Sequence, residues 1–293
     1  MKQPARALVG YMLREEALQL LSGGIQANGT KIQDYEGIWE RHRQAALHRP
    51  DFEPQSPLAP TPRLIAPRLR AFKHRADVQA LMQPLEWDVA FADLTKSVLT
   101  YQRLILTQPF GRRLETVDSG DLSTLVDGCL PSPHPDQFQG AFDPAQMTFT
   151  ASSSNPNLRI AGFQVVPAIG PDNSSQQVLG FTLSLGSSFV QLVEYQDRWM
   201  VRDGYHRIYR LLQKGITRIP CVIVRAKTFQ ETGAERPGFF GHEILFSRNP
   251  PHITDFLVSD LAADVEVPVT MKVVRIRAEE FVVPVSQPGD PGE

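Results

Sequence analysis

The sequence predicts an α+β protein, with a mainly helical N-terminal part followed by a β-rich mixed domain. Apolar residues in the first third of the chain recur at intervals of three and four, which is typical of helices. From about residue 147 onward they alternate with polar residues or run together over strand-like lengths. With 42% hydrophobic residues among 293, the chain can fill a core, which excludes a wholly disordered protein.

Charge and cysteine content exclude several classes of function. The chain has 30 Lys and Arg residues against 32 Asp and Glu, so its surface as a whole is not suited to wrap nucleic acid or to lie on an acidic membrane. Two cysteines cannot build a disulfide framework, and no Cys or His pattern predicts a metal site. Without a secretion signal or an apolar run of roughly 20 residues, we expect a soluble, cytoplasmic protein with no membrane partner.

Residues 1–130 are predicted to form the mainly helical region. Its first two helices are expected over residues 5–21 and 31–47, the second from one apolar face at helical spacing. Six prolines between residues 50 and 67 predict an irregular, extended strap over that stretch. A further helix is expected over residues 71–82.

Apolar residues between Trp87 and Ile105 repeat at steps of four and three, which predicts a helix that faces the core. A coiled-coil helix that binds a partner is a second interpretation of the same pattern. A third makes residues 87–92 a strand, because Val89 and Phe91 alternate with polar residues.

Turn residues dominate the stretch from 110 to 145, with one short helix expected over residues 122–126. We therefore place the main boundary in a linker at residues 131–146. The β-rich domain is expected to follow over residues 147–286, and residues 287–293 are expected to be a frayed tail.

The β-rich domain is predicted from segments of strand length. A turn at Gln196 and Asp197 is expected to join two of the strands as a hairpin. Helices are expected over residues 208–214, which Gly215 ends, and near residues 252–262. The predicted strands lie at residues 147–151, 158–166, 178–185, 189–195, 199–202, 220–224, 265–269, 271–276 and 281–285.

The strongest local signal is the segment Arg202-Asp203-Gly204-Tyr205-His206-Arg207, between a predicted strand and a predicted helix. The first turn of a helix has unpaired N–H groups and the positive end of the helix dipole, which together bind anions. Gly204 allows the backbone to bend sharply, Arg207 offers a fork of donors that suits phosphate, and His206 can donate or titrate. The alternative is an ordinary turn in which Asp203 caps the helix and Arg207 is a surface charge.

The stretch from about residue 192 to residue 224 resembles the ParB/sulfiredoxin-fold family. In that family a strand is followed by a turn that contains Gly and Arg, by a short helix that ends at glycine, and by a strand that opens with Ile-Pro or Val-Pro. Here the turn ends at His206-Arg207, the helix ends at Gly215, and the next strand opens with Ile219-Pro220. The resemblance implies a strand-turn-helix-strand unit of that fold within the β-rich domain.

The resemblance also implies a nucleotide-phosphate site formed by Gly204, Tyr205, His206 and Arg207. Members of the family bind ATP, ADP or CTP, so one of these nucleotides with magnesium is the expected ligand. The implied chemistry includes nucleotide hydrolysis or phosphoryl transfer, although the sequence leaves open whether this protein is an enzyme. Tyr205 stands at the position of the sulfiredoxin cysteine, so thiol chemistry is not expected.

Glu194 and Asp203 are the candidate catalytic carboxylates. They fall on adjacent predicted strands and could lie near one another across the Gln196-Asp197 turn. A pair of carboxylates there would suit acid–base catalysis or magnesium beside a phosphate. The alternative is that each is an edge-strand carboxylate in water.

A basic strip between residues 63 and 75 indicates a different function. It contains no acidic residue and borders the proline-rich strap, so it is suited to contact nucleic acid or an acidic protein. In this alternative the protein is a non-enzymatic interaction module and the turn at residues 203–207 is structural. A solvated helix face is the simplest interpretation of the strip, which consists of Arg63, Arg68, Arg70, Lys73 and Arg75.

Overall fold

The structure, a computed structural model, describes residues 1–23, 34–108, 117–118, 120–132, 138–153, 158–169, 175–185 and 188–282. Both helices and strands are well represented, which confirms the α+β class. The chain forms two compact units. The first consists of Met1–Pro133 with Ser188–Val269, and the second of His134–Ser187 with Thr270–Glu293.

The helices and strands have the following bounds. The α-helices are α1 (Arg14–Gly23), α2 (Tyr35–Leu47), α3 (Ala66–Lys73), α4 (Ala76–Met82), α5 (Leu122–Cys129), α6 (Tyr205–Gln213) and α7 (His242–Leu245). The strands are β1 (Lys2–Ala7), β2 (Leu58–Ala59), β3 (Glu86–Asp93), β4 (Val98–Thr100), β5 (Leu104–Leu106), β6 (Gln139–Asp143), β7 (Thr148–Ser153), β8 (Leu158–Ile169), β9 (Ser175–Leu185), β10 (Gln191–Tyr195), β11 (Arg198–Asp203), β12 (Arg218–Arg225), β13 (Ala263–Pro268) and β14 (Lys272–Arg277). Short 3-10 helices cover Val9–Tyr11, Gln230–Thr232 and Ile253–Leu257.

A six-stranded mixed sheet forms the centre of the first unit, in the order β2-β3-β12-β10-β11-β4. Strand β12 lies inside this sheet and is buried from Ile219 to Val224, as expected of an apolar run without alternation. It pairs parallel to β10 and antiparallel to β3. Strands β10 and β11 form the predicted hairpin, and both turn residues, Gln196 and Asp197, have positive φ, as a type I′ turn requires.

Helix α6 carries the chain from β11 back to β12. It buries Ile208, Tyr209, Leu211 and Leu212 at helical spacing, which confirms the helix expected at residues 208–214. Its first residue is earlier than predicted, so the segment from Arg202 to Arg207 spans the end of β11 and the first turn of α6.

The prediction of a helix over residues 5–21 is wrong for its first part. That part belongs to β1, which pairs antiparallel with β13 and with β5 in a separate three-stranded sheet. Ala5 and Ala7 are buried whereas Arg6 between them is partly exposed, which is the alternation of a strand. Pairing partners far away in the sequence override the local helix propensity here, and α1 begins only at Arg14.

The helix predicted between Trp87 and Ile105 is also wrong, and the strand interpretation of residues 87–92 is confirmed. The stretch forms β3, β4 and β5. A step of four residues keeps two side chains on one face of a strand as well as of a helix, so Trp87 and Phe91 do not distinguish the two structures. Ser97, at φ +48°, belongs to the tight turn that separates β3 from β4.

The remaining N-terminal helices follow the sequence more closely. Helix α2 confirms the one expected over residues 31–47, of which 31–33 lie outside the described residues, and α5 confirms the one at 122–126. The helix expected over residues 71–82 is instead divided into α3 and α4. Because α3 has Pro67 in its first turn, where a missing N–H costs nothing, the helix already starts inside the predicted strap at residues 50–67.

The C-terminal predictions are confirmed as far as residue 276. Each predicted strand from 147–151 to 271–276 overlaps an observed strand. Near residues 252–262 the structure has the 3-10 helix Ile253–Leu257 rather than an α-helix. The last predicted strand, 281–285, has no regular structure at residues 281 and 282 and otherwise lies outside the described residues, as does the tail at 287–293.

The division into units differs from the linear one drawn at the 131–146 linker between residues 1–130 and 147–286. Strands from the N-terminal part pair with strands from the C-terminal part, β3 with β12 and β1 with β13. The first unit is therefore discontinuous in sequence.

The second unit contains two antiparallel sheets. One has the order β14-β7-β6, and the other is the hairpin of β8 and β9. Ala151, Leu158 and Val274 form its small buried cluster. In the parts of the chain that the structure describes, no helix is both long enough and apolar enough to cross a membrane.

Candidate anion site at the start of helix α6

Gly204 joins β11 to α6 in a conformation that requires glycine. Its φ is +80°, in the left-handed region, and it is the N-cap residue of α6. A Cβ at this position would lie 2.9 Å from Cα and 3.0 Å from Cγ2 of Val190. The backbone therefore turns at the only residue type that tolerates both the dihedral and the contact.

The start of α6 is the positive end of a nine-residue helix. Among the described residues no side chain caps it, so Asp203 does not act as the cap that the alternative interpretation predicted. Asp203 instead accepts a hydrogen bond from the backbone N–H of Gly204 at 2.6 Å, and its two carboxylate oxygens each lie 3.2 Å from Oγ of Ser188. Burial raises the pKa of this carboxyl, against the opposing effect of Arg207.

Arg207 points into the protein rather than outward. Its Nη2 donates to the backbone carbonyl and to Oγ of Ser188, both at 2.6 Å. Its Nη1 donates to the carbonyls of Gly128 at 3.2 Å and Cys129 at 3.4 Å, at the C-terminal end of α5. A guanidinium at the negative end of a helix is favourable, so Arg207 links α5, α6 and the segment before β10.

His206 and Tyr205 occupy the first turn of α6 and are mostly buried. The backbone N–H of Leu106 donates to Nδ1 of His206 at 3.2 Å, which places the imidazole proton on Nε2. Burial lowers the pKa of His206 to about 4, so the side chain is neutral at pH 7. The rings of Tyr205 and His206 pack at 4.3 Å, and burial raises the pKa of Tyr205.

Two further arginines lie at this end of β11. Arg202 donates from Nη1 to Oε1 of Gln191 at 2.7 Å, while its Nε is buried with no hydrogen-bond partner among the described residues. Burial lowers the pKa of Arg202, Tyr101 and Asp203 oppose this effect, and the positive charge of Arg236, an exposed residue, makes a smaller contribution that lowers the pKa again. Two guanidinium groups thus lie within electrostatic reach of each other.

The hydroxyl of Tyr101 lies close to several of these groups. It donates to the carbonyl of Arg202 at 2.7 Å, and burial raises its pKa. Arg202, Asp203, Tyr205 and Arg236 all act electrostatically on it. Tyr101 and Arg236 could not be identified from the sequence, because both are brought here by the tertiary fold and no local pattern marks them.

The structure does not bring the two candidate catalytic carboxylates together. Strand register places Glu194 opposite Trp199, next to the hairpin turn, and Asp203 opposite Gln191 at the other end of β10. Three residues along a strand correspond to about 10 Å. Glu194 forms an ion pair with Arg225 at 3.5 Å. Among the described residues no group of three or more His, Cys, Asp or Glu side chains could hold a metal ion.

The basic strip is largely engaged within the fold. Arg68 pairs with Asp127 at 2.5 Å, Lys73 with Asp88 at 2.8 Å, and Arg75 with Asp77 at 2.6 Å. Arg75 also donates to the carbonyl of Pro131 and lies over the ring of Phe72. Only the other two members of the strip, Arg63 and Arg70, are exposed with no ion pair among the described residues.

Comparisons of the chain with models of protein families, with curated proteins and with solved structures found no match.

Proposed function

We propose that this protein binds a nucleotide through its phosphates at the start of α6. The observation that carries the proposal is an imbalance of charge. Asp203 is the carboxylate that faces Arg202 and Arg207, and Arg236 adds a third positive charge near Arg202. Tyr205 and Tyr101 are neutral at pH 7, and burial raises their pKa further. Burial lowers the pKa of His206, so none of the three contributes a charge that compensates the arginines.

The contacts indicate which groups would bind phosphate and which residue holds the site in place. The first N–H groups of α6 and the side chains of Arg202 and Arg236 are the groups that would bind phosphate oxygens. Arg207 is a positioning residue, since its guanidinium holds the carbonyls of α5 and Ser188. This differs from the direct phosphate contact by Arg207 that the ParB/sulfiredoxin resemblance implies.

A reaction at this site would depend on Asp203. Burial raises the pKa of its carboxyl, and Ser188 holds it in place, so it is the candidate for proton transfer or for binding magnesium that enters with the phosphates. The distance along β10 leaves Glu194 without a part in such a step. ATP, ADP and CTP, which the resemblance names, are the nucleotides to test first.

Isothermal titration calorimetry tests the proposal with ATP, ADP, CTP and GTP, with and without magnesium. We expect one nucleotide to bind the wild-type protein, and we expect Arg202→Gln to weaken that binding at least 10-fold because a charge-assisted contact is lost. Arg70→Gln is the matched control, since it removes the same charge from an exposed arginine far along the sequence.

Two outcomes of the calorimetry would contradict the proposal. If millimolar nucleotide gives no heat of binding, or if Arg202→Gln and Arg70→Gln bind as the wild type does, the site is structural. The interaction-module alternative would then gain weight, although three of the five residues of its basic strip are already paired with carboxylates of the fold.

A further inference from the structure

The hairpin of β8 and β9 is long and has no further strand beside it. Eleven residue pairs join the two strands, from Leu158 with Leu185 to Ile169 with Ser175. Twelve residues in β8 span about 40 Å. In the described part of the chain the two strands form a sheet of their own, and an isolated two-stranded hairpin is marginally stable in water.

Apolar side chains cover one face of this hairpin and remain exposed. Phe163 lies opposite Phe181, and Val165 lies opposite Leu179, so the four form one block. Their exposed fractions are 68%, 45%, 44% and 61%, and the two phenylalanine rings pack at 6.2 Å. Exposed aromatic and aliphatic residues that are contiguous in this way mark an interaction surface.

The opposite face carries a second, smaller apolar pair. Val166 lies opposite Val178, and their side chains are 48% and 55% exposed. A strand that alternates apolar and polar residues covers only one of its faces. Since both faces of this hairpin are apolar, one of them would remain in water even if a neighbouring element covered the other.

Charge is almost absent from the hairpin. Arg159, close to its base, is the one charged residue among those described in β8 and β9. Strand β9 contains neither a charged residue nor a proline, which are the features that protect exposed edge strands from pairing with another chain. Strand β8 contains Pro167 besides Arg159, so it is β9 that has the composition of a covered element.

We propose that the hairpin packs against the same hairpin of a second copy of this chain, in a twofold-symmetric dimer. A twofold axis brings a surface onto itself, so the surface must not repel itself. The uncharged block around Phe163 and Phe181 satisfies this condition. It offers nothing to attract an acidic, basic or nucleic-acid partner, since such partners are selected by complementary charge.

The area available agrees with a dimer. Taking about 150–250 Å² for a phenylalanine and less for valine and leucine, the exposed parts of the four side chains of the block amount to roughly 400 Å² in each copy. Ile160 adds to the same face, because it is 48% exposed and pairs with Leu183, two residues from Phe181. With Ile160 included, two copies together would bury about 1,000 Å², before the backbone is counted, which is the lower limit for a specific interface. The proposal is independent of nucleotide binding at α6.

Sedimentation velocity of the full-length protein between about 1 and 100 μM tests the proposal. We expect a species of twice the chain mass of 32.8 kDa, and a dissociation constant at least 10-fold weaker for Phe163→Ser with Phe181→Ser. Leu13→Ser with Leu64→Ser is the matched control, because Leu13 and Leu64 are also exposed, at 73% and 76%, but lie in the first unit. The control should associate as the wild type does.

A second pair of variants keeps the test decisive if the serine variant folds poorly. Leu179→Lys and Leu179→Glu should each be monomeric alone, and an equimolar mixture should form a dimer because the two apposed faces then carry opposite charges. A wild-type protein that is monomeric at 100 μM overturns the proposal. A dimer that the hairpin variants leave unchanged, assemblies that grow beyond two copies, or a mixture that stays monomeric overturn it as well.

Discussion

Two buried clusters in the first unit, each built around an aspartate, differ in how many positive charges surround the carboxylate. Asp255, in the 3-10 helix Ile253–Leu257, faces one arginine, Arg49, with which it forms an ion pair. It also accepts hydrogen bonds from the Tyr11 hydroxyl and from the backbone N–H of His252, both at 2.9 Å. The Asp255 carboxylate and Arg49 balance each other, and a further positive charge, that of Arg198, acts on His252 rather than on the carboxylate. The cluster connects three distant segments of the chain.

The cluster at the start of α6 is not balanced. Asp203 faces two arginines, Arg202 and Arg207, and Arg236 lies near the first of them. A balanced cluster of this kind is sufficient as a structural link, whereas an excess of buried positive charge costs free energy unless an anion neutralises it. The comparison therefore supports a structural role for Asp255 and is the reason for proposing ligand binding at the α6 start.

The largest effect should come from breaking the balanced cluster. Asp255→Ala leaves Arg49 and the Tyr11 hydroxyl buried without their acceptor, so we expect the free energy of unfolding to fall by about 3–5 kcal/mol. Urea denaturation followed by circular dichroism measures it. Asp264→Ala is the control, because Asp264 also pairs with an arginine, Arg6, but its side chain is 87% exposed, and such a pair contributes less than about 1 kcal/mol. Equal losses in the two variants would contradict the distinction.

The backbone turn at the α6 start should give the next largest effect. Gly204→Ala introduces a left-handed alanine, at about 1–2 kcal/mol, and a contact with Val190 that adds about 1–3 kcal/mol. Gly215→Ala has nearly the same φ, +74°, but no atom within 4 Å of the new Cβ, so only the first cost applies. A difference between the two variants of less than about 0.5 kcal/mol by thermal denaturation would mean that the contact with Val190 is easily relieved.

The pH dependence of the free energy of unfolding should show that burial lowers the pKa of a histidine beside each of the two clusters. Burial lowers the pKa of His252, next to Asp255, and of His206, next to Asp203, to about 4 in each case. Between about pH 6.5 and pH 4 the unfolded chain therefore binds protons that the folded chain does not, so stability falls as the pH falls. Each histidine contributes up to about 3 kcal/mol over this window.

The His206 contribution can be isolated by difference. His206→Asn keeps an acceptor for the N–H of Leu106, and we expect its free energy of unfolding to change less than that of the wild type between pH 6.5 and pH 4. For His48→Asn, a change at an exposed position, the free energy of unfolding should vary with pH as it does for the wild type. The raised pKa values of Asp203 and Asp255 act in the opposite direction, but they cancel in the difference. Parallel curves for His206→Asn would indicate that the folded protein protonates this side chain.

How much of this the sequence could predict depends on whether the signal was local. The β10–β11 hairpin, α6 and β12 follow from a turn dipeptide, a helical apolar face and an apolar run within 35 consecutive residues (191–225), and all were predicted. The end of β1 was predicted as helix because only its partner β13, far along the chain, distinguishes it. For β3 the local pattern fits both a helix and a strand, and its partner β12 decides between them.

The residues of the candidate site also differ in whether a local sequence signal identifies them. Gly204, Tyr205 and His206 lie in one segment whose pattern marks a helix start, so they could be identified from the sequence. Arg236 lies in a loop that follows β12, which brings it to the candidate site, and no local sequence pattern predicts this position. The direction of the Arg207 side chain could not be predicted either, since it depends on the carbonyls of Gly128 and Cys129 in α5.

The smallest effects on stability should separate the two arginines that face Asp203. Arg207→Gln removes donors from the Ser188 and Gly128 carbonyls, so we expect a loss of about 1–3 kcal/mol in the free energy of unfolding. Arg202→Gln retains a donor for Gln191 and relieves the repulsion with Arg236, so its stability should stay within about 1 kcal/mol of the wild type while nucleotide binding weakens. A measurement in which Arg202→Gln is the less stable of the two would assign the structural role to Arg202. The charge imbalance would then no longer indicate a bound anion, because the arginine with the unpartnered Nε would be the one that the fold needs.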